Sequence, residues 1–185
     1  MHSFLSGRCQ QVRIGNFKSQ SFNVTSGVPQ GSHCGPILFL LFINDLQYCF
    51  KSSNFLQFAD DLKIYKCIHS VEDAYALQSD LDRLHEWCLG NQLFLNTSKC
   101  YSISFANLKC TLAHTYNIDG ISLKTVGEVK DLGVIFDTKL TFKNHYNYIF
   151  KKAMRMWGFV WRHCHILSTN SLRVLYCSLV RSQLI

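Results

Sequence analysis

Apolar and polar positions alternate in short bursts through much of this chain, and longer helical stretches interrupt them. Residues 10–15 and 20–26 read as two short strands around the polar turn Asn16 to Ser19. Gly27 to Gly35 reads as a loop punctuated by Pro29, Gly31 and Gly35. Pro36 suits the first turn of a helix running to about Phe50. Its positions are apolar nearly all round through Ile43, which predicts burial in the core. Residues 54–59 and 62–67 are apolar and aromatic and flank Asp60-Asp61, the pattern of a hairpin with two carboxylates at its tip.

Ser70 followed by Asp73 resembles a capping box. Ala74, Leu77, Leu81, Leu84 and Trp87 supply the helical stripe behind it, and Gly90-Asn91 ends it. Short strands are then expected at 93–95, 100–106, 114–118, 121–125 and 129–135, with Asp119-Gly120 as a two-residue turn. From Thr141 the pattern is helical to about Cys164, and a second helix starts near Ser168 and runs to the C-terminus. The class is therefore α+β, an antiparallel sheet with packed helices over 1–140 and a helical appendage over 141–185.

Composition bounds the function. At 48% hydrophobic and 17% charged the chain has a globular balance. Its longest apolar run, Ile37 to Ile43, is far below the roughly 20 residues that cross a bilayer. No apolar stretch follows Met1 as in a signal peptide, so a nuclear or cytoplasmic, non-secreted protein with no membrane partner is expected. The nine cysteines are odd in number and never in C-x-x-C spacing, which argues against a disulfide framework or zinc knuckle. His163-Cys164-His165 reads as a helix end.

Charge is unevenly placed. All twelve acids lie between Asp45 and Asp137, and every charged residue beyond Asp137 is basic. An acidic middle beside a basic end suits a metal-binding centre next to a phosphate-backbone contact; a solvated cationic helix face is the plainer alternative. Two adjacent acids in an apolar hairpin repel one another unless solvated or neutralised. A divalent cation would neutralise them, and Mg²⁺ binds through one or two carboxylates and substrate phosphates. A solvated turn remains the alternative, since Asp is common in turns.

Longer segments carry a family resemblance. Phe58-Ala59-Asp60-Asp61 resembles the aromatic-x-Asp-Asp signature of reverse transcriptases, and Ser26-Gly27-Val28-Pro29-Gln30-Gly31-Ser32 resembles their S-G-V-P-Q-G-S segment. Gly35-Pro36-Ile37-Leu38-Phe39 and Phe42-Ile43-Asn44-Asp45-Leu46 follow in the family's order. Leu95-Asn96-Thr97-Ser98-Lys99 is similar to its L-N-x-x-K segment. Asp131-Leu132-Gly133-Val134, with Asp137, Leu140, Phe142 and His145, is similar to a segment of non-LTR, jockey-like elements. The resemblance runs nearly the whole length, Ser6-Gly7-Arg8-Cys9-Gln10 included.

The resemblance implies RNA-directed DNA synthesis from an RNA template, a DNA primer and deoxynucleoside triphosphates, with Mg²⁺ (or Mn²⁺) in a two-metal site. It implies a partial polymerase palm over 1–140 and the start of a thumb over 141–185. Asp60 and Asp61 would be metal-site carboxylates, and Lys99 would lie near the phosphates as a catalytic proton donor to the departing pyrophosphate. Pro29, Gln30 and Gly31 would shape the loop near nucleotide and template, and Phe58 and Ala59 the floor beside the primer end. Leu132 and Gly133 would belong to a primer-gripping hairpin; a plain core strand is the alternative. Lys143, Lys151, Lys152, Arg155 and Arg162 would hold the nucleic-acid backbone. Tyr146, Tyr148, Phe150, Trp157, Phe159 and Trp161 are interleaved with them and are expected mostly in the core.

The family also has a third catalytic aspartate and a fingers region upstream of the S-G-V-P-Q-G-S segment, whereas no acid here precedes Asp45. The expectation is a fragment, inactive alone, that pairs with a complementing N-terminal reverse transcriptase segment. A non-catalytic nucleic-acid-binding remnant and a decayed mobile-element copy are the competing readings.

Overall fold

Short strands that turn back on themselves dominate the computed structural model, which describes residues 2–105, 114–164 and 166–184. It divides into two units, residues up to Leu95 and residues from Asn96 on, each described by itself. The described residues mix helices with small sheets, the expected α+β class.

In the first unit a short helix, α1 (His2–Leu5), leads into a ribbon. Its outer pair is β1 (Arg8–Gln10) with β4 (Phe22–Val24); its inner pair is β2 (Arg13–Ile14) with β3 (Phe17–Lys18). Ile14 faces Phe17 across Gly15-Asn16, so the turn comes earlier than Asn16 to Ser19. Gly15 supplies the positive φ, 59°, that such a turn needs.

The helix expected over 36–50 is two elements. Helix α2 spans Cys34–Phe42, and a 3₁₀ helix follows over Asn44–Cys49. Burial is also reversed: Ile37, Leu40, Leu41 and Phe42 are 45–67% exposed. Apolar residues on every side predict a helix covered on every side, but the first unit covers only Gly35 in it, and then Ile43, Leu46 and Cys49 beyond it.

Strands β5 (Asn54–Phe58) and β6 (Asp61–Tyr65) form the expected hairpin. Ser70 caps α3 (Val71–Gly90) in a full capping box with Asp73, and Asn91 closes it. The core is Leu46, Leu84 and Cys88, with Phe50, Leu62, Ile64, Trp87 and Leu95 packed against it. Phe50 stacks on Phe55 at 4.7 Å, so one face of the hairpin sits on the core. Alternation along the strands puts Phe58, Asp61, Lys63 and Tyr65 on the other face.

The strand expected over 93–95 is a loop that ends the first unit, and the second unit opens at Asn96 with a 3₁₀ turn, Thr97–Lys99. Strand β7 (Tyr101–Ser102) is shorter than expected; Ala106 lies outside the described residues. Strands β8 (Asn117–Ile118) and β9 (Ile121–Ser122) are joined by Asp119-Gly120, both with positive φ, as the dipeptide predicts. Strand β10 (Lys124–Thr125) pairs with β7 in parallel.

The single strand expected over 129–135 is a hairpin, β11 (Glu128–Asp131) and β12 (Val134–Asp137), whose turn is Leu132-Gly133. Leu-Gly is a weak turn signal beside Asp-Gly, which is why the apolar run hid it. Among the described residues the strands form six separate two-stranded ribbons instead of one antiparallel sheet. Each has two to five residues per strand, and none finds a third strand to join it to its neighbour.

Helix α4 (Lys143–His163) starts after Phe142. Its inward stripe is His145, Ile149, Ala153, Met156 and Val160, with Ala153 and Val160 buried and the others half-buried, packed on β12 and on the π-helical turn Tyr176–Val180. Helix α5 (Thr169–Leu175), capped by Ser168, leads into that turn and a closing 3₁₀ turn, Arg181–Gln183. The aromatic residues expected in the core are not there: Tyr146, Tyr148, Phe150, Trp157, Phe159 and Trp161 are all at least 39% exposed. Smaller side chains fill the buried stripe, so the aromatics fall beside it. No helix among the described residues is long and apolar enough to cross a membrane.

Candidate functional site

The hairpin β5–β6 turns on Ala59-Asp60, because Phe58 pairs directly with Asp61. Ala59 takes φ 52°, a left-handed conformation that costs an L-residue roughly 1–2 kcal/mol. The Gln57 Nε2 donates to the Ala59 carbonyl at 3.3 Å and braces this turn. Asp60 thus stands at the apex and Asp61 at the head of β6, both exposed. Neither carboxylate has a hydrogen-bond or ion-pair partner among the described residues, so their oxygens are open to a hard cation. Two free carboxylates on a braced turn fit the donor chemistry of Mg²⁺ or Mn²⁺.

What roots the hairpin is Asp80, which the sequence reading passed over. It is fully buried. Its carboxylate accepts from the backbone N–H groups of Lys51 and Ser52, both at 3.1 Å, and from the Ser52 hydroxyl at 2.9 Å, and it pairs with Arg83. Arg83 also donates to the Cys49 carbonyl at 2.8 Å. The chain entering β5 is thereby fastened to α3. A signal was present: Asp80 lies in register with Leu77, Leu84 and Trp87, inside the apolar stripe.

The segment 26–32 is a folded loop. Arg8 holds it, donating to the carbonyls of Ser26 and Gly27 at 3.2 and 2.5 Å. Ser32 N–H donates to the Pro29 carbonyl at 3.3 Å, and Gly31 takes φ 80°. Gly35 closes the loop from below, where a Cβ would meet Ser32 Oγ at 3.2 Å. Pro29 is half-buried while Gln30 and Gly31 are exposed. Arg8 is the second residue the sequence reading missed, although the resemblance includes it.

The remaining candidates lie in the second unit. Lys99 ends its 3₁₀ turn, exposed. Leu132 (φ 44°) and Gly133 (φ 94°) form the tip of β11–β12, and Leu132 is 54% exposed, which sets aside the plain core strand. Asp137 joins that hairpin to α4. It accepts from Lys139 N–H at 3.0 Å, Thr141 N–H at 3.1 Å and Phe142 N–H at 2.8 Å, and from the Thr141 hydroxyl at 2.9 Å. These bonds, led by the Thr141 backbone, hold its carboxyl below the ordinary value of 3.8.

On α4, Tyr148, Lys152, Arg155, Phe159 and Arg162 recur at helical spacing along one face, with Lys151 beside them. Phe150, Met154, Trp157 and Trp161 lie on a different face, and Lys143 falls on that side, apart from the other four basic candidates. Phe150, Met154 and Trp157 line an open groove of about 270 Å³ with Tyr176, Val180 and Leu184.

Comparison with known proteins bears on the family. Residues 1–136 match the family model described as reverse transcriptase (RNA-dependent DNA polymerase). The chain is 31% identical over 178 residues to the probable RNA-directed DNA polymerase from transposon X-element of Drosophila melanogaster, covering 92% of this chain and 19% of that protein. It is 32% identical over 151 residues to the RNA-directed DNA polymerase from mobile element jockey of Drosophila funebris, covering 77% of this chain and 16% of that one. The chain therefore spans less than a fifth of the length of these relatives. No solved structure matches it. With a family match over most of its length and these relatives, the chain belongs to the reverse transcriptases of jockey-like, non-LTR retrotransposons.

Proposed function

We propose that this chain carries the metal-binding turn of an RNA-directed DNA polymerase and works only as part of a larger domain. The observation that carries the proposal is the braced turn that presents Asp60 and Asp61, unpartnered and exposed, on a hairpin fastened through Asp80. Asp60 and Asp61 would hold Mg²⁺ or Mn²⁺, and the bound ion would supply activation of the primer hydroxyl and charge stabilisation for the departing pyrophosphate. Pro29, Gln30 and Gly31 shape the nucleotide and template side, with Arg8 fixing their loop. Phe58 and Ala59 form the floor at the primer end. Lys99 lies near the phosphates, and Leu132 and Gly133 steady the primer. Lys151, Lys152, Arg155 and Arg162 hold the backbone of an RNA template paired with a DNA primer, with Lys143 at the margin. Residues 1–140 are then palm and 141–185 the start of a thumb, in a nuclear or cytoplasmic protein.

The third carboxylate that the resemblance implies comes from sequence outside these residues, since no acid precedes Asp45. The exposed apolar faces of α2 and the open ribbon edges support docking of such a complementing segment. The test is primer extension on an RNA template with Mg²⁺, by the chain alone and by the chain joined to the upstream segment of a jockey polymerase. No extension alone and extension when joined is expected; neither form extending sinks the proposal. The basic face of α4 also favours a second reading, a non-catalytic nucleic-acid binder, which predicts salt-sensitive binding with no extension in either form.

A further inference from the structure

Lys130, on β11, reaches across to α4. Its Nζ lies 3.3 Å from the Tyr148 hydroxyl and 4.7 Å from the centre of the Tyr148 ring. Lys152 and Arg155 follow Tyr148 by one and two helical turns on the same face. Three cations thus gather around one neutral hydroxyl.

Among the described residues no acid pairs with Lys130, Lys152 or Arg155. Glu128 shares the strand face of Lys130, but Asn144 Nδ2 binds its carboxylate. Asp131 belongs to the opposite face of the strand, Asp137 is taken up by the 139–142 backbone, and no acid follows Asp137. Gathered like charges repel, and an anion placed among them relieves that repulsion. The Tyr148 hydroxyl is also made more acidic, first by its bond to Lys130 and then by the charges of Lys130, Lys152 and Arg155. That makes it a stronger hydrogen-bond donor toward such an anion.

We propose that Lys130, Tyr148, Lys152 and Arg155 form one phosphodiester-binding site, so that hairpin β11–β12 and helix α4 grip the same nucleic-acid backbone. This rests on reading α4 as the template–primer face and the hairpin tip as steadying the primer, and it adds Lys130 and Tyr148 as the residues that join the two. Lys130 stands two residues from Leu132, so a strand held by Lys130 is held beside the hairpin tip. Lys152 and Arg155 supply charge, Tyr148 supplies a directed donor, and Lys130 both orients the ring and contributes charge.

The test is fluorescence anisotropy of a fluorescein-labelled RNA–DNA hybrid duplex with the 185-residue chain across a salt series. Lys130→Ala and Lys152→Ala should each flatten the slope of log affinity against log salt by about one contact's worth, ~0.9. Lys130→Arg should keep the wild-type slope. Tyr148→Phe should weaken binding about five-fold with the slope unchanged, because it removes a neutral donor. Lys139→Ala serves as the control and should change nothing. Near-ultraviolet circular dichroism confirms that each variant keeps its fold. If Lys130→Ala and Tyr148→Phe bind like wild type while Lys152→Ala and Arg155→Ala lose affinity, the hairpin takes no part; the shared site is wrong and the α4 reading survives. If the wild-type chain binds without salt dependence, both fail. Displacement of the duplex by poly-glutamate as readily as by unlabelled duplex would overturn the assignment to nucleic acid.

Discussion

Asp80 has no exposed surface, yet by composition it is one of several acids along a helix. Its two backbone donors and Arg83 are left without their acceptor if the carboxylate is removed, and breaking such a buried pair costs about 3 kcal/mol. Asp80→Ala should lower the urea midpoint of the first unit accordingly, while Asp82→Ala, on the exposed side of the same helix, should leave it nearly unchanged. Burial also sorts the cysteines. It pushes the Cys88 thiol up to about 11, and burial followed by the Asp45 charge pushes Cys49 up. Iodoacetamide under native conditions should label the exposed Cys9, Cys34, Cys67 and Cys177 and spare Cys49 and Cys88. Labelling of Cys88 as fast as Cys34 would contradict the packing of the core. The place of Asp60 and Asp61 at a hairpin turn was legible from the apolar runs that flank them. Asp80 was not, because hydrophobic patterning weighs an acid against a stripe and never asks where its hydrogen bonds go.

The loop that starts α4 depends on one carboxylate. Asp137 gathers the N–H groups of Lys139, Thr141 and Phe142, and both Leu140 and Phe142 have positive φ in the segment it organises. Because its folded pKa lies below 3.8, the stability it contributes is full above that value and is lost as pH falls through the lower folded value. The near-ultraviolet signal of Trp157 and Trp161 should therefore survive to about pH 4 and fall below it; Asp137→Asn should weaken the fold at neutral pH and blunt that acid dependence. A melt unaffected by Asp137→Asn would remove the loop from the account. Elements with explicit end signals were readable in advance: the capping box of Ser70 and Asp73, and the turn at Asp119-Gly120. The hairpin at Leu132-Gly133 was not, since neither residue type announces a turn as Asp-Gly does. The stripe of α4 was misassigned for another reason. Periodicity locates a buried face but not its occupants, and Ile149, Ala153 and Val160 took the place expected for aromatics.

At the scale of the whole chain, pairing between strands is what the sequence could not disclose. Alternation predicts strands, but six separate ribbons and one antiparallel sheet share the same alternation. The apolar girdle of α2 was expected in the core, yet Ile37, Leu40, Leu41 and Phe42 are exposed, because apolar composition marks a surface that favours cover without saying what covers it. The 185-residue chain alone should accordingly self-associate in size-exclusion chromatography, and joining it to an upstream polymerase segment should bring it to a single monomeric species. Persistent aggregation of the joined form would mean that α2 meets some other partner. The central claim, that Asp60 and Asp61 are the metal-binding centre of a polymerase, rests on one turn. Its most direct test is the rate of Mg²⁺-dependent primer extension by the joined form, wild type against Asp60→Asn, with duplex binding measured in parallel. A loss of at least about 10²-fold in rate with binding retained is the predicted result; extension at the wild-type rate would contradict the assignment.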